Sequence, residues 1–136
     1  MRWLIFFLVL LSPASASAED RVFASYDEYA GFVDEKIMWR DFVALINSLG
    51  GEDEYTEAQL NATNAQLLNA MPFDFTGSAV LKRVELTPDF SQEMRVYWNR
   101  QKSYVYFYAF LHRREEGLVV LKFNLNTNSD NIFDKF

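Results

Sequence analysis

Few side chains in this chain are equipped for chemistry. His112 is the sole histidine, which excludes sites built from several histidines and the His-Glu-x-x-His helix signature of zinc hydrolases. It stands at the end of a predicted strand beside Arg113 and Arg114, and no carboxylate lies at a spacing that would orient it as a general base. A structural or solvated turn histidine is the expected role. There is no cysteine, hence no thiol nucleophile, and no Gly-x-Ser-x-Gly elbow occurs. Glycoside cleavage needs two carboxylates across a cleft, but 19 acidic residues always allow such a pair to be drawn, so the pairing carries no weight. Asp41, and Asp34 with Glu35 before it, could aim a carboxylate into a pocket; surface helix charges account for all three more simply.

Two stretches are rich in oxygen, Glu52-Asp53-Glu54 and the alternating Asn124, Asn126, Asn128 and Asp130. Neither has the start or the distal Glu of a calcium loop, and loop charge, strand exit and a helix cap explain them. Asn61-Ala62-Thr63 matches a glycosylation acceptor inside a predicted helix, and the five glycines are scattered except for Gly50-Gly51, so no phosphate cradle is present. No catalytic residue, metal site or cofactor is assigned.

The elements that would position any site divide into a helical first half and a strand-rich second half, the order of an α+β domain. Ser25 with Glu28 has the form of a capping box, and Tyr26, Tyr29, Val33 and Ile37 follow on one helical face. Near Met38 the apolar stripe changes phase, continuing as Phe42, Leu45, Ile46 and Leu49 to Gly50-Gly51. A bend or two successive helices is expected. Thr56 with Gln59 opens a further helix along Leu60, Asn64, Leu67, Leu68 and Met71, stopped by Pro72. From Gly77 the period becomes two, with strands expected at about 77–86, 93–99, 104–112 and 118–125. Four strands with short turns make a meander.

Register follows from keeping apolar side chains together, since a slip of one residue reverses the faces. Pairing Phe107 with Phe123, and Trp98 with Val105, yields an apolar face that should meet the helices. The opposite face then carries Arg95, Tyr97, Asn99, Tyr104, Tyr106, Tyr108, Phe110, Lys122 and Asn124. Rings with polar ends suit protein interfaces, so Arg95, Tyr97, Tyr104, Tyr106, Tyr108 and Lys122 are interface candidates and a homodimer is expected. A solvated cross-strand ladder is the plain alternative. The second functional reading is a pocket between helices and sheet lined by Phe32, Trp39, Phe42, Trp98 and Phe107, holding a small apolar ligand or acting as an isomerase or hydratase. Ordinary core is the plain reading of those five.

This layout, with the closing segment Leu121 to Phe133 (LKFNLNTNSDNIF), resembles the nuclear transport factor 2-like members of the cystatin-like superfamily. The resemblance implies a cone-shaped domain in which helices packed on one face of a curved antiparallel sheet of about four strands enclose a pocket, while the outer sheet face commonly makes dimers. Its members include enzymes, binding modules and pocket-less interaction proteins, so the fold alone settles no function. The strand that often interrupts the helices in that group is not evident here.

Residues 1–18 read as a signal peptide: Arg2, an apolar run from Trp3 to Leu11, and Ala16-Ser17-Ala18 as a cleavage site. The apolar run is far shorter than the ~20 residues a membrane span requires, and the product is expected to be periplasmic or secreted, free of the membrane once cleaved. Removing 18 of 136 residues leaves 118, residues 19–136, which fit a single domain. Without cysteine, apolar packing must hold it together unaided in an oxidising compartment. Losing Arg2 takes the net charge of −6 to −7, which argues against nucleic acid as a partner.

Overall fold

The structure, a computed structural model, describes residues 21–50 and 55–136. The expected signal peptide, Gly51 and the acidic triplet Glu52-Asp53-Glu54 lie outside the described residues. Within them the order is β1 (Val22–Phe23), α1 (Tyr26–Met38), α2 (Phe42–Ser48), α3 (Glu57–Ala70), β2 (Gly77–Glu85), β3 (Phe90–Trp98), β4 (Tyr104–Arg114), β5 (Gly117–Asn126) and α4 (Asp130–Phe133). The strands form one open antiparallel sheet in the order β1-β5-β4-β3-β2. The coarse α+β class and the meander of β2 to β5 follow the sequence reading; β1 and the fifth strand position were not expected. Among the described residues no helix is long and apolar enough to cross a membrane.

Local chemistry sets the helix ends. The Ser25 hydroxyl accepts the Glu28 N–H at 3.1 Å, while the Glu28 carboxylate reaches past the cap to the Ala24 N–H. Thr56 and Gln59 form the complete capping box. The phase change near Met38 is a helix break. The Arg40 N–H bonds the Ile37 carbonyl and the Asp41 N–H that of Lys36, a Schellman closure with Arg40 in the left-handed region at φ 59°. Glycine would relax more easily there, but the Arg40 side chain is used: its Nε donates to Asp74 at 2.8 Å and its Nη1 to the Met71 carbonyl, tying the end of α1 to the approach to β2. Asp41 then caps α2 through the Ala44 N–H.

The main core joins α1 and α2 to one sheet face. Tyr29, Val33, Ile37, Phe42 and Leu45 pack with Tyr97, Val105, Phe107, Ala109, Leu111, Leu118 and Val120, and this face is called inner below. Two expected registers need correction. Strand β3 is one residue out of the expected phase, with Tyr97 opposite Val105, Arg95 opposite Phe107 and Glu93 opposite Ala109. Arg95 and Tyr97 therefore lie on the inner face, and Met94, Val96 and Trp98 on the outer. Strand β5 pairs Phe107 with Leu125 rather than Phe123, and an irregularity beside Phe110 and Leu111 turns Val120 inward and leaves Leu121 exposed.

The outer face is not bare. Ile132 of α4 is fully buried with Met94 and Tyr108, and Tyr106, Phe110 and Phe136 pack around them. The Gln92 amide donates to both the Tyr108 hydroxyl and the Lys135 carbonyl, the Phe136 ring stands edge-on to Tyr108 at 5.5 Å, and the Lys82 ammonium sits over Phe136. The last seven residues thus cross the outer face as a strap. Turns built on side-chain oxygens launch it: Asn126 Oδ1 accepts from the Asn128 N–H, and Asn128 Oδ1 from that of Asp130, which is the local role of the alternating asparagines. Ile132→Ala should lower stability by about 2–4 kcal/mol, the range for truncating a buried aliphatic side chain. Urea denaturation measures it, and a change below about 1 kcal/mol would show that the strap carries no packing.

Candidate functional site

Three places on the structure bring functional side chains together. The first is polar and lies beneath α1. Glu93 is fully buried and Arg95 nearly so, placed there by the inward phase of β3. Glu93 Oε1 accepts from the Tyr26 hydroxyl and Oε2 from the Tyr29 hydroxyl, each at 2.7 Å. Arg95 Nε also donates to Glu93 Oε2 at 2.7 Å, while Nη1 donates to Asp34 at 3.0 Å and Nη2 to the Tyr26 hydroxyl at 2.9 Å. Tyr97 donates to the same Asp34 oxygen at 2.7 Å. The helix supplies Tyr26, Tyr29 and Asp34 from one face, and the strand supplies Glu93, Arg95 and Tyr97 at alternate positions.

Burial first, and then Glu93, push the Tyr29 phenol well above its ordinary value; burial first, and then Asp34, do the same for Tyr97. Burial alone would weaken the charge on Arg95, but the adjoining Glu93 outweighs it, so the guanidinium is held even more firmly protonated. Every member of the cluster spends its hydrogen bonds on another member. It is a lock between helix and strand, and sequence reasoning missed it by taking Asp34 as a surface charge and Arg95 and Tyr97 as outward, and by giving Glu93 no role. The available signal was the i, i+2 run of Glu93, Arg95 and Tyr97 opposite a helix whose apolar stripe holds two tyrosines.

The second place is apolar. A cavity of about 230 Å³ opens between α2, α3 and β5, lined by Phe42, Leu45, Ile46, Leu67, Phe123 and Leu125, with Tyr55, Thr63 and Asn124 as its polar contributors. It exists because α3 stands back: of its 14 residues only Leu60 is buried, and Leu67 and Leu68 are half-buried. Of the five expected pocket residues Phe42 alone lines this cavity. Phe107 is sealed in the core, and Phe32 packs on Phe23 under the Arg21 guanidinium. Trp39, rotated out by the Schellman turn, is 69% exposed and borders a separate surface groove with Met38 and Phe75. Trp98 lies on the outer face over Gly77, where a Cβ would collide with its ring.

No protein-family model, curated protein or solved structure matches this chain.

The third place is the outer face. Of the six interface candidates, Arg95 and Tyr97 are inside, and Tyr108 is buried under the strap. Tyr106 is half-buried, while Tyr104 and Lys122 are exposed. The strap divides the expected aromatic surface in two, leaving Trp98, Tyr104 and Tyr106 at one end. At the other end His112 stacks flat on Phe90 at 4.1 Å, a structural placement that keeps it on the face opposite the cavity. Among the described residues no group of three or more His, Cys, Asp or Glu is gathered to hold a metal ion.

Proposed function

We propose that this chain is an exported, non-enzymatic binding protein with a nuclear transport factor 2-like architecture, and that it holds an apolar group in the cleft between α2, α3 and β5. One observation carries the reading: the cleft has aliphatic and aromatic walls, and among the described residues no carboxylate, imidazole, ammonium or guanidinium lines it. An isomerase or hydratase would need a general acid or base within reach of its substrate, and the ionisable groups of the inner face are bonded to one another instead. At about 230 Å³ the cleft holds the volume of roughly eight bulk waters at ~30 Å³ each. That is smaller than the ~300 Å³ at which common ligand pockets begin, so it accommodates a short apolar group rather than a large ring system.

Titration with benzene and with n-butanol, followed by protein NMR, tests the reading. Shifts should concentrate at Leu45, Ile46, Leu67 and Phe123 with Kd near the millimolar level, about −4 kcal/mol. Thr63→Phe, which fills the mouth, should weaken binding about tenfold. Shifts scattered over the surface, or a variant that binds as well as the parent, would remove the cleft as the site.

Self-association is a second reading, favoured by Tyr104, half exposed beside Trp98 at the uncovered end of the outer face. Sedimentation at tens of micromolar should then show a dimer that Tyr104→Glu weakens tenfold or more, because a charge would be desolvated in the contact. A parent protein that sediments as a monomer sinks this second reading.

A further inference from the structure

We propose that the open edge of β5 is a strand-acceptor site, which takes an extended segment of a partner polypeptide with apolar side chains at alternate positions. The inference rests on the cleft reading and names the class of its occupant. Strand β5 runs for ten residues with β4 along one side. On its other side β1 covers only Leu118 and Val119. Among the described residues no backbone partner lies along that side from Lys122 to Asn126. An unpaired stretch of this kind offers N–H and C=O groups to an incoming strand.

The two edges of the sheet differ in how they are protected. Edge strand β2 carries a register irregularity at Leu81 followed by Lys82 and Arg83, features that discourage pairing. On β5 the irregularity at Leu121 lies before the open stretch. Beyond it come Lys122, Phe123, Asn124, Leu125 and Asn126, with one charge and neither proline nor glycine.

The cleft lies directly beneath that edge. Phe123 and Leu125 line it, and so does Asn124 between them. Side chains alternate along a strand, so a cavity touching all three reaches the strand's own backbone. An added strand would continue the inner and outer pattern of β5: Phe123 and Leu125 are half-buried on the cleft side, while Lys122, Asn124 and Asn126 alternate to the other. Its apolar side chains would enter the cleft and its polar ones would join the outer row. A segment of about five residues spans the stretch at ~3.4 Å per residue. Main-chain bonds would supply affinity and the cleft would select the side chains.

The test uses the purified protein and a lysine-flanked peptide of alternating valine and threonine, with a control peptide whose edge-facing amides are N-methylated. The first should bind with Kd of about 10–100 µM and slow hydrogen exchange at alternate amides between Lys122 and Asn126 tenfold or more. The control should bind at least tenfold more weakly. Equal binding of the two peptides, protection along Gly77–Glu85 instead, or no peptide binding overturns the proposal. So does self-association that protects the same amides without peptide, which would make a second copy the occupant. If the peptides fail while benzene still shifts the cleft resonances, the strand-acceptor inference falls and the cleft reading stands; if both fail, both fall.

Discussion

Replacing Arg95 with methionine should destabilise the fold by about 3–5 kcal/mol, the cost of leaving a buried partner charge uncompensated. The methionine roughly preserves the stem's packing, so the loss is electrostatic. It strands Glu93, which is fully buried, with only the hydroxyls of Tyr26 and Tyr29 as donors. It also removes the cation facing Asp34. With a urea slope of ~1–3 kcal/mol/M, the unfolding midpoint should fall by about 2 M. Adding Glu93→Leu to the same protein should recover much of that loss, because exchanging a whole buried ion pair for apolar groups is often close to neutral. A single variant within 1 kcal/mol of the parent would mean that water already reaches the pair.

Alkaline pH should unfold the protein cooperatively, through Tyr29 and Tyr97. Both phenols have folded-state values raised above the ordinary 10.0 by burial and a neighbouring carboxylate. The direction is fixed by proton counting: above about pH 10 the unfolded chain releases these protons while the folded chain keeps them. The unfolded state therefore binds fewer protons, and stability falls as pH rises. The contribution is fully present below pH 10. Two such groups steepen the loss to about 2.7 kcal/mol per pH unit, enough to exhaust the lower end of an ordinary domain stability, ~5 kcal/mol, within about two units above pH 10. Tyrosinate absorbance and circular dichroism, followed together, check this. Of the seven tyrosines, at least two should ionise only as the secondary structure is lost. Titration of all seven near pH 10 with an unchanged fold would contradict the buried cluster.

The parts of the fold legible in the sequence are those governed by neighbours in the chain. The cap at Thr56, the break after Met38 and the meander after Gly77 were all readable because a side chain and a backbone group a few residues away decide them. The register of β3 was not. Matching Met94, Val96 and Trp98 to the apolar face assumed that one side of the sheet is wet, yet the strap buries Met94 on the other side. A strand covered on both faces has no phase that hydrophobicity alone can choose. Its phase is decided by hydrogen bonds to α1, more than 60 residues away. Of the candidate site, Phe42 was readable as an inward ring. The space beside it was not, because it depends on how far α3 stands from β5.

The partners that close the cluster between α1 and β3 are separated by 61 to 69 residues. A transient species holding only the meander would have Glu93 and Arg95 pointing into solvent where α1 belongs, and one holding only the helices would leave two phenols without acceptors. Long-range closure of this kind raises contact order and slows folding. The helical half, although synthesised first, gains its specificity only once the third strand is in place, so the chain has no natural resting point at which half of it is finished.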